Sequence, residues 1–184
     1  FPASSHGRKP AQILPHTASP IVIDIMEMIR KCLDSEFGII YQIINDSAQA
    51  YKGGIPIDCW KEPYMSKGEL QRENNEGVRF WGCEIEGELV GIMGIPHVQN
   101  VTLIRHAYVL TARQNQGFGG KLLSHLLTQT SRPILVGTWM DATWAIHFYE
   151  KYGFELVTAK EKDRLLKKYW SVPERQIRSS AVLV

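Results

Sequence analysis

The chain has 184 residues, 44% of them hydrophobic and 22% charged, with a formal net charge of +2 at pH 7. That length supports one domain with a sizeable core, and the composition is that of a soluble globular protein, far from the signature of disorder. A charge so close to neutral offers no broad footprint for nucleic acid. The one basic cluster, "KEKDRLLKK", interleaves acids with bases and sets Asp163 four residues before Lys167, the pattern of a solvated helix face.

Cys32, Cys59 and Cys83 are few, far apart and odd in number, and point to reduced thiols in a cytoplasmic protein. The six His residues are scattered, so no metal site is expected. The apolar stretch "IVIDIMEMI" is too short to span a bilayer and carries two acids, so neither a membrane segment nor a signal-peptide core is expected. The chain begins at Phe1 rather than Met; residues 1–24 are set apart as a tail, added ahead of the domain, left by processing or loosely packed, and residues 25–184 are taken as the domain.

Met28 to Leu33 reads as a short strand, after which Asp34 or Ser35 opens a helix with Phe37, Ile40, Ile43 and Ile44 at helical spacing, ending near "YKGG". "IPIDCWKEPYM" has no period and reads as an aromatic loop able to wall a ligand. "SKGE" has the capping-box form ahead of a second helix through Glu73. "VRFWGCEIEGELVGIMGI" predicts two strands joined by a tight turn at Glu86-Gly87-Glu88, and "NVTLIRHAYVL" a further strand running into glycines. A helix with the stripe Leu122, Leu123, Leu126 and Leu127 follows. Then come a buried strand at "PILVGTW", a helix from Ala142 to Tyr152, a strand at "GFELVT", a charged helix and a last strand at "SAVLV". Antiparallel strands at the front and alternating strands and helices behind make a mixed α/β fold, a mostly antiparallel mixed sheet with helices on both faces.

A strand feeding Gly-rich backbone and then a helix suits phosphate: the helix start presents unpaired N–H groups, and Gly lets an anion approach. Gln116, Gly117, Phe118, Gly119 and Gly120 occupy that junction. A P-loop would need Ser or Thr, and a dinucleotide fingerprint Gly, where Leu122 stands. Close helix-to-strand packing alone would also explain glycines here.

Gln114, Gly117 and Gly119 fit the Q/R-x-x-G-x-G/A signature of the coenzyme A helix in the GNAT superfamily of N-acetyltransferases, and "AIHFYEKYGFELV" resembles its second motif. The similarity in element order runs from Met28 to Val184. The resemblance implies that the fourth and fifth predicted strands splay apart around acetyl-CoA, with its pyrophosphate on the N–H groups of Gln114, Asn115, Gln116, Gly117, Phe118 and Gly119, and Gly120 close by. It also implies pantetheine pairing along Tyr108, Val109 and Leu110, with a backbone N–H near Val109 or Leu110 polarising the thioester carbonyl. Homodimers occur among such proteins.

Acetyl transfer to an amine needs a neutral nucleophile, a polarised carbonyl and a proton for the departing thiolate. By the resemblance, Tyr149 is the general acid, with Phe148 and Tyr152 as core alternatives on the same helix. Where some members carry a catalytic Glu this chain has Leu103, so the base is open; His106, or His97, has suitable chemistry. Trp60, Tyr64, Trp139, Trp144, Tyr169 and Trp170 could line an acceptor cavity, and Asp58 and Glu62 could attract a cation. The expected activity is direct acetyl transfer from acetyl-CoA to a primary amine, of a small molecule in preference to a protein. The alternative is a non-catalytic acetyl-CoA sensor.

Overall fold

The computed structural model describes residues 26–184; the tail set apart at residues 1–24 lies outside the described residues. Strand β1 (Glu27–Lys31) leads through a tight 3-10 turn at Asp34–Glu36 into α1 (Phe37–Ser47), so the predicted helix is present with a tightened first turn. A second 3-10 turn, Ala48–Tyr51, ends it short of "YKGG". Helix α2 (Lys67–Asn75) starts as its sequence predicts: the Ser66 hydroxyl accepts from the Glu69 N–H while the Glu69 carboxylate accepts from the Ser66 N–H at 2.9 Å.

β2 (Phe80–Ile85) and β3 (Glu88–Gly94) form a hairpin whose two turn residues, Glu86 and Gly87, both have positive φ, 51° and 85°, matching the twist of the strands. A two-residue strand β4 (His97–Val98) precedes the long β5 (Val101–Val109). Then follow α3 (Phe118–Leu127), β6 (Ile134–Trp139), α4 (Thr143–Glu150), α5 (Ala159–Tyr169), a short α6 (Glu174–Arg178) and β7 (Ser180–Leu183). The sheet order is β1-β2-β3-β5-β6-β7, with β4 beside β5; every pairing is antiparallel except β5 with β6.

Helices cover both faces. α3 and α4 bury Leu122, Leu123, Leu126, Ile146 and Tyr149 against Val90, Met93, Ile104 and Val136 on one face. On the other, α1 and α2 pack Ile40, Ile43, Ile44 and Leu70 on Phe80, Leu89 and Ile92, while α5 packs Leu165 and Leu166 on Leu103 and Leu135.

The strand expected at "GFELVT" is not one. Only Leu156 bridges to Leu183, with flanking backbone bonds from Val157 to Val182 and between Glu155 and Val184. Gly153 turns at φ 87°, and by Thr158 the chain is already capping α5, which leaves too few residues for a ladder. The short α6 had no signal in the sequence reading.

The expected splay is present, between β5 and β6. They pair only over Thr102–Ile104 and Ile134–Val136, after which Arg105–Val109 and Gly137–Trp139 diverge. Divergence begins beside a bulge: Ile92 faces Tyr108 but Gly94 faces Arg105, so β5 carries one extra residue, with His106 at φ 51°. A left-handed conformation outside Gly costs roughly 1–2 kcal/mol, so contacts around His106 must hold the bulge in place.

Candidate active site

The wedge between β5 and β6 holds two cavities. One, about 660 Å³, lies against the start of α3 and the face of α4; the other, about 130 Å³, lies under the loops and α6 on the opposite side. Tyr51, Ala107, Tyr108 and Tyr149 line both. Those four residues form the wall that the two cavities share.

In the larger cavity the three glycines have three different reasons to be there. Gly117 caps α3 at φ 86°, and no side chain caps the helix in its place. Gly119 stands open: a Cβ there would make only ordinary contacts, with Phe148 at 3.7 Å and Val109 at 3.8 Å. Gly120 is occupied by packing, since a Cβ would lie 1.9 Å from the Tyr152 hydroxyl. Among the described residues the N–H groups of Asn115, Gln116, Gly117, Phe118, Gly119 and Gly120 donate to no carbonyl, and the first turn of α3 carries no acid. This run of free N–H groups at a helix start is an anion cradle, and Arg113, His147 and Lys151 also line the cavity.

The free run starts one residue later than the sequence implied. The Gln114 N–H turns back to Thr111 O at 3.4 Å, and the Gln114 side chain donates to Val109 O at 3.1 Å, tying the loop to the end of β5. Tyr108, Val109, Gln114, Asn115, Gly117, Phe118, Gly119 and Gly120 line the larger cavity; Leu110 and Gln116 line neither. Leu110 donates its N–H to Val90 O at 2.9 Å, and antiparallel alternation then turns the Val109 N–H away from β3, toward the wedge. The Val109 carbonyl is held by the Ser47 hydroxyl at 2.6 Å. Val109, not Leu110, therefore offers the backbone donor.

Tyr149 is 5% exposed, on the face of α4 that reaches both cavities. Burial, reinforced by Tyr51, pushes its hydroxyl well above the ordinary tyrosine range, so it stays protonated. Tyr51 and Tyr108 are raised for the same reason. Tyr51 packs on Trp144 at 4.7 Å between ring centroids. Of the neighbours weighed against Tyr149, Phe148 packs beside Gly119 and Tyr152 beside Gly120.

His106 lines the smaller cavity, between Phe80 and Tyr108. Its Nε2 is bonded to Glu73 Oε2 at the end of α2, and Glu73 Oε1 accepts from Arg105 Nη2 at 3.0 Å. Burial raises the Glu73 carboxyl, but the His106 hydrogen bond and the charges of His106 and Arg105 outweigh it and hold the group below the usual carboxylate range. An Nε2–H donated to Glu73 leaves Nδ1 as the acceptor nitrogen. Leu103 is 1% exposed and packed beneath α5. His97 is at β4, bonded through Nδ1 to Thr102 at 2.9 Å, and lines neither cavity.

Tyr64, Trp139 and Trp170 line the smaller cavity and Trp144 the larger, whereas Trp60 and Tyr169 line neither. Asp58 and Glu62 are also outside both: Arg175 grips Asp58 through two nitrogens at 2.7 and 3.0 Å, and Glu62 pairs with Lys52 and Trp60. Sequence reasoning missed Glu73, Arg105, Tyr51 and Ser47. Glu73 belongs to a polar helix in which nothing distinguishes it from its exposed neighbours, and the others reach the site through tertiary contact.

Residues 76–156 match the model of the family described as the acetyltransferase (GNAT) domain. Among solved structures, a GNAT family acetyltransferase from Staphylococcus aureus Mu50 aligns at TM-score 0.63 and 20% identity, over 85% of this chain and 98% of that one. The PaiA N-acetyltransferase from Thermoplasma acidophilum, solved with coenzyme A, aligns at 0.62 and 16%, over 86% and 97%. The ribosomal-protein-S18-alanine N-acetyltransferase of Escherichia coli aligns at 0.61 and 15%, over 86% and 90%. The mixed sheet opened at β5 and β6 is thus the GNAT fold. The family match and the fold agree in likening residues 76–156 to a GNAT acetyltransferase domain. Among the described residues no group of three or more His, Cys, Asp or Glu could hold a metal, and no helix is long and apolar enough to cross a membrane.

Proposed function

We propose that the protein is an acetyl-CoA-dependent N-acetyltransferase acting directly on a primary amine, in preference that of a small molecule. The observation that carries this is that Tyr51, Ala107, Tyr108 and Tyr149 line both cavities, with a run of free N–H groups along the larger one. The residues present fit coenzyme A. Asn115 to Gly120 would hold its pyrophosphate, Gly119 leaves room for close approach, and the outward Val109 N–H meets the acyl end. When bound, acetyl-CoA supplies an activated acetyl thioester.

The chain's own residues handle protons and position. An alkylammonium with pKa of about 10.4 must lose a proton before its lone pair can attack. His106 Nδ1 takes that proton, and Glu73 stabilises the resulting imidazolium through Nε2. Val109 N–H steadies negative charge on the carbonyl oxygen, and Tyr149 gives its proton to the sulfur as the carbon–sulfur bond breaks. Burial of Leu103 where a carboxylate base could stand favours a second reading, a sensor that binds acetyl-CoA without turnover.

Thermal unfolding with acetyl-CoA, coenzyme A, NAD or ATP tests the donor site. A native-state ligand at 100 times its Kd adds about 2.7 kcal/mol, or roughly 5–10 °C for a chain of this size. A rise with the coenzyme A species alone is expected; no rise would withdraw the assignment. Thiol release with any primary amine then separates enzyme from sensor.

A further inference from the structure

The smaller cavity contains its own specification of the acceptor, once the chemistry above places the amine there. Among the described residues no Asp or Glu lines it, whereas Arg105 does. Asp58 and Glu62, on the segment that leads to Tyr64, are paired with cations outside it. A second ammonium on the acceptor would therefore enter without a carboxylate to offset its desolvation, which is costly for a cation. Arg105 uses only Nη2 on Glu73, so most of its five N–H donors remain available, in the planar fork that matches a carboxylate. Tyr64, Trp139 and Trp170 supply aromatic walls for an apolar body. A cavity of about 150 Å³ takes one benzene ring, so the 130 Å³ available suits an apolar body of about that size.

We propose that the acceptor is a compact aminocarboxylate with an apolar body, its carboxylate held by Arg105 and its amine presented where the two cavities meet. This rests on the acetyltransferase reading. The cluster also gains from such a substrate: once His106 carries the proton taken from the amine, Arg105, His106 and Glu73 sum to one net positive charge, which the acceptor's carboxylate offsets.

The test uses matched pairs in a thiol-release assay: leucine against isopentylamine and phenylalanine against phenethylamine, each pair differing only in the carboxylate, with spermidine and an alanine-initiated hexapeptide alongside. An α-carboxylate also lowers the amine pKa, so the diagnostic is the change in each pair's kcat/KM ratio between wild type and Arg105→Gln. The ratio is expected to fall at least tenfold, while stabilisation by acetyl-CoA is unchanged. Arg105→Lys, which keeps the charge toward Glu73 but loses the fork, should lie between and serves if Arg105→Gln fails to fold. An unchanged ratio, better turnover of spermidine or of the hexapeptide, or no turnover of either aminocarboxylate by a protein that acetyl-CoA stabilises, each overturns the proposal. Absence of that stabilisation instead overturns the donor site, so the two failures are told apart.

Discussion

Removal of the Glu73 carboxylate tests the central physical claim about the site, that a buried anion on α2 holds the strained bulge of β5. Glu73 makes two charge-assisted hydrogen bonds, to Arg105 and to His106, with side chains only 29% and 10% exposed and its own 15%. Hydrogen bonds to charged groups contribute about 1.5–3 kcal/mol each against about 0.5–1.5 for neutral ones. Glu73→Gln should therefore cost about 2 kcal/mol over the two bonds. Glu73→Ala loses both; Arg105 can partly rehydrate, so the cost falls at the lower end of the roughly 3–5 kcal/mol typical of a broken buried pair. At about 2–4 °C per kcal/mol, that is a fall in Tm of roughly 6–12 °C.

The pH dependence has a definite sign. The folded Glu73 pKa lies below its unfolded value, so the carboxylate's contribution is fully present above the ordinary Glu value of about 4.3 and is lost as pH falls through the lower folded value. The gap between wild type and Glu73→Gln should close as pH falls below that value. Because His106 at φ 51° is costly only while the bulge persists, His106→Gly should be coupled to Glu73→Ala by at least about 1 kcal/mol in a double-mutant cycle. Chemical denaturation supplies all four stabilities. Additive effects, or a Glu73→Ala variant within about 0.5 kcal/mol of wild type, would refute the claim that Glu73 holds the bulge.

Tyr149→Phe should lower kcat by roughly a hundredfold or more, the usual range for a general acid, with the acetyl-CoA Kd changed less than twofold; an unchanged kcat removes the acid role. Gly117→Ala forces a side chain into φ 86° and should cost about 1–2 kcal/mol of stability together with weaker stabilisation by acetyl-CoA, both read from thermal unfolding with and without ligand. Gly119→Ala is the contrasting case. Its Cβ meets only ordinary contacts and its φ is unremarkable, so Tm should hold or rise slightly by helix propensity while the acetyl-CoA shift diminishes. A Gly119→Ala variant with an undiminished shift would remove this glycine from the cradle.

Local patterns carried the elements and the run of free N–H groups at the start of α3. Ser66 with Glu69 marks a helix start, Glu86-Gly87 supplies the paired positive φ of a hairpin, and the Leu stripe after Gly120 marks the helix face that docks on the sheet; each of these acts within a few residues, where sequence spacing and spatial spacing coincide. Gln114 through Gly120 are contiguous for the same reason. The smaller cavity is assembled from Tyr51, Tyr64, Arg105, Trp139 and Trp170, on five separate segments, and no spacing rule links residues brought together only by packing. Nor could spacing show that Gly120 serves Tyr152 while Gly119 stands open, because that depends on which side chain crosses the helix. Sequence by itself determined the fold class and the anion-holding turn, since both follow from local backbone geometry and amphipathic period. Only the tertiary structure decided that Glu73 and His106 form one unit, that Val109 turns its N–H into the wedge, and that the cavity beneath the loops is lined, among the described residues, by an arginine and no acid. Those outcomes depend on the bulge in β5 and on its divergence from β6, which are set by contacts between elements far apart along the chain.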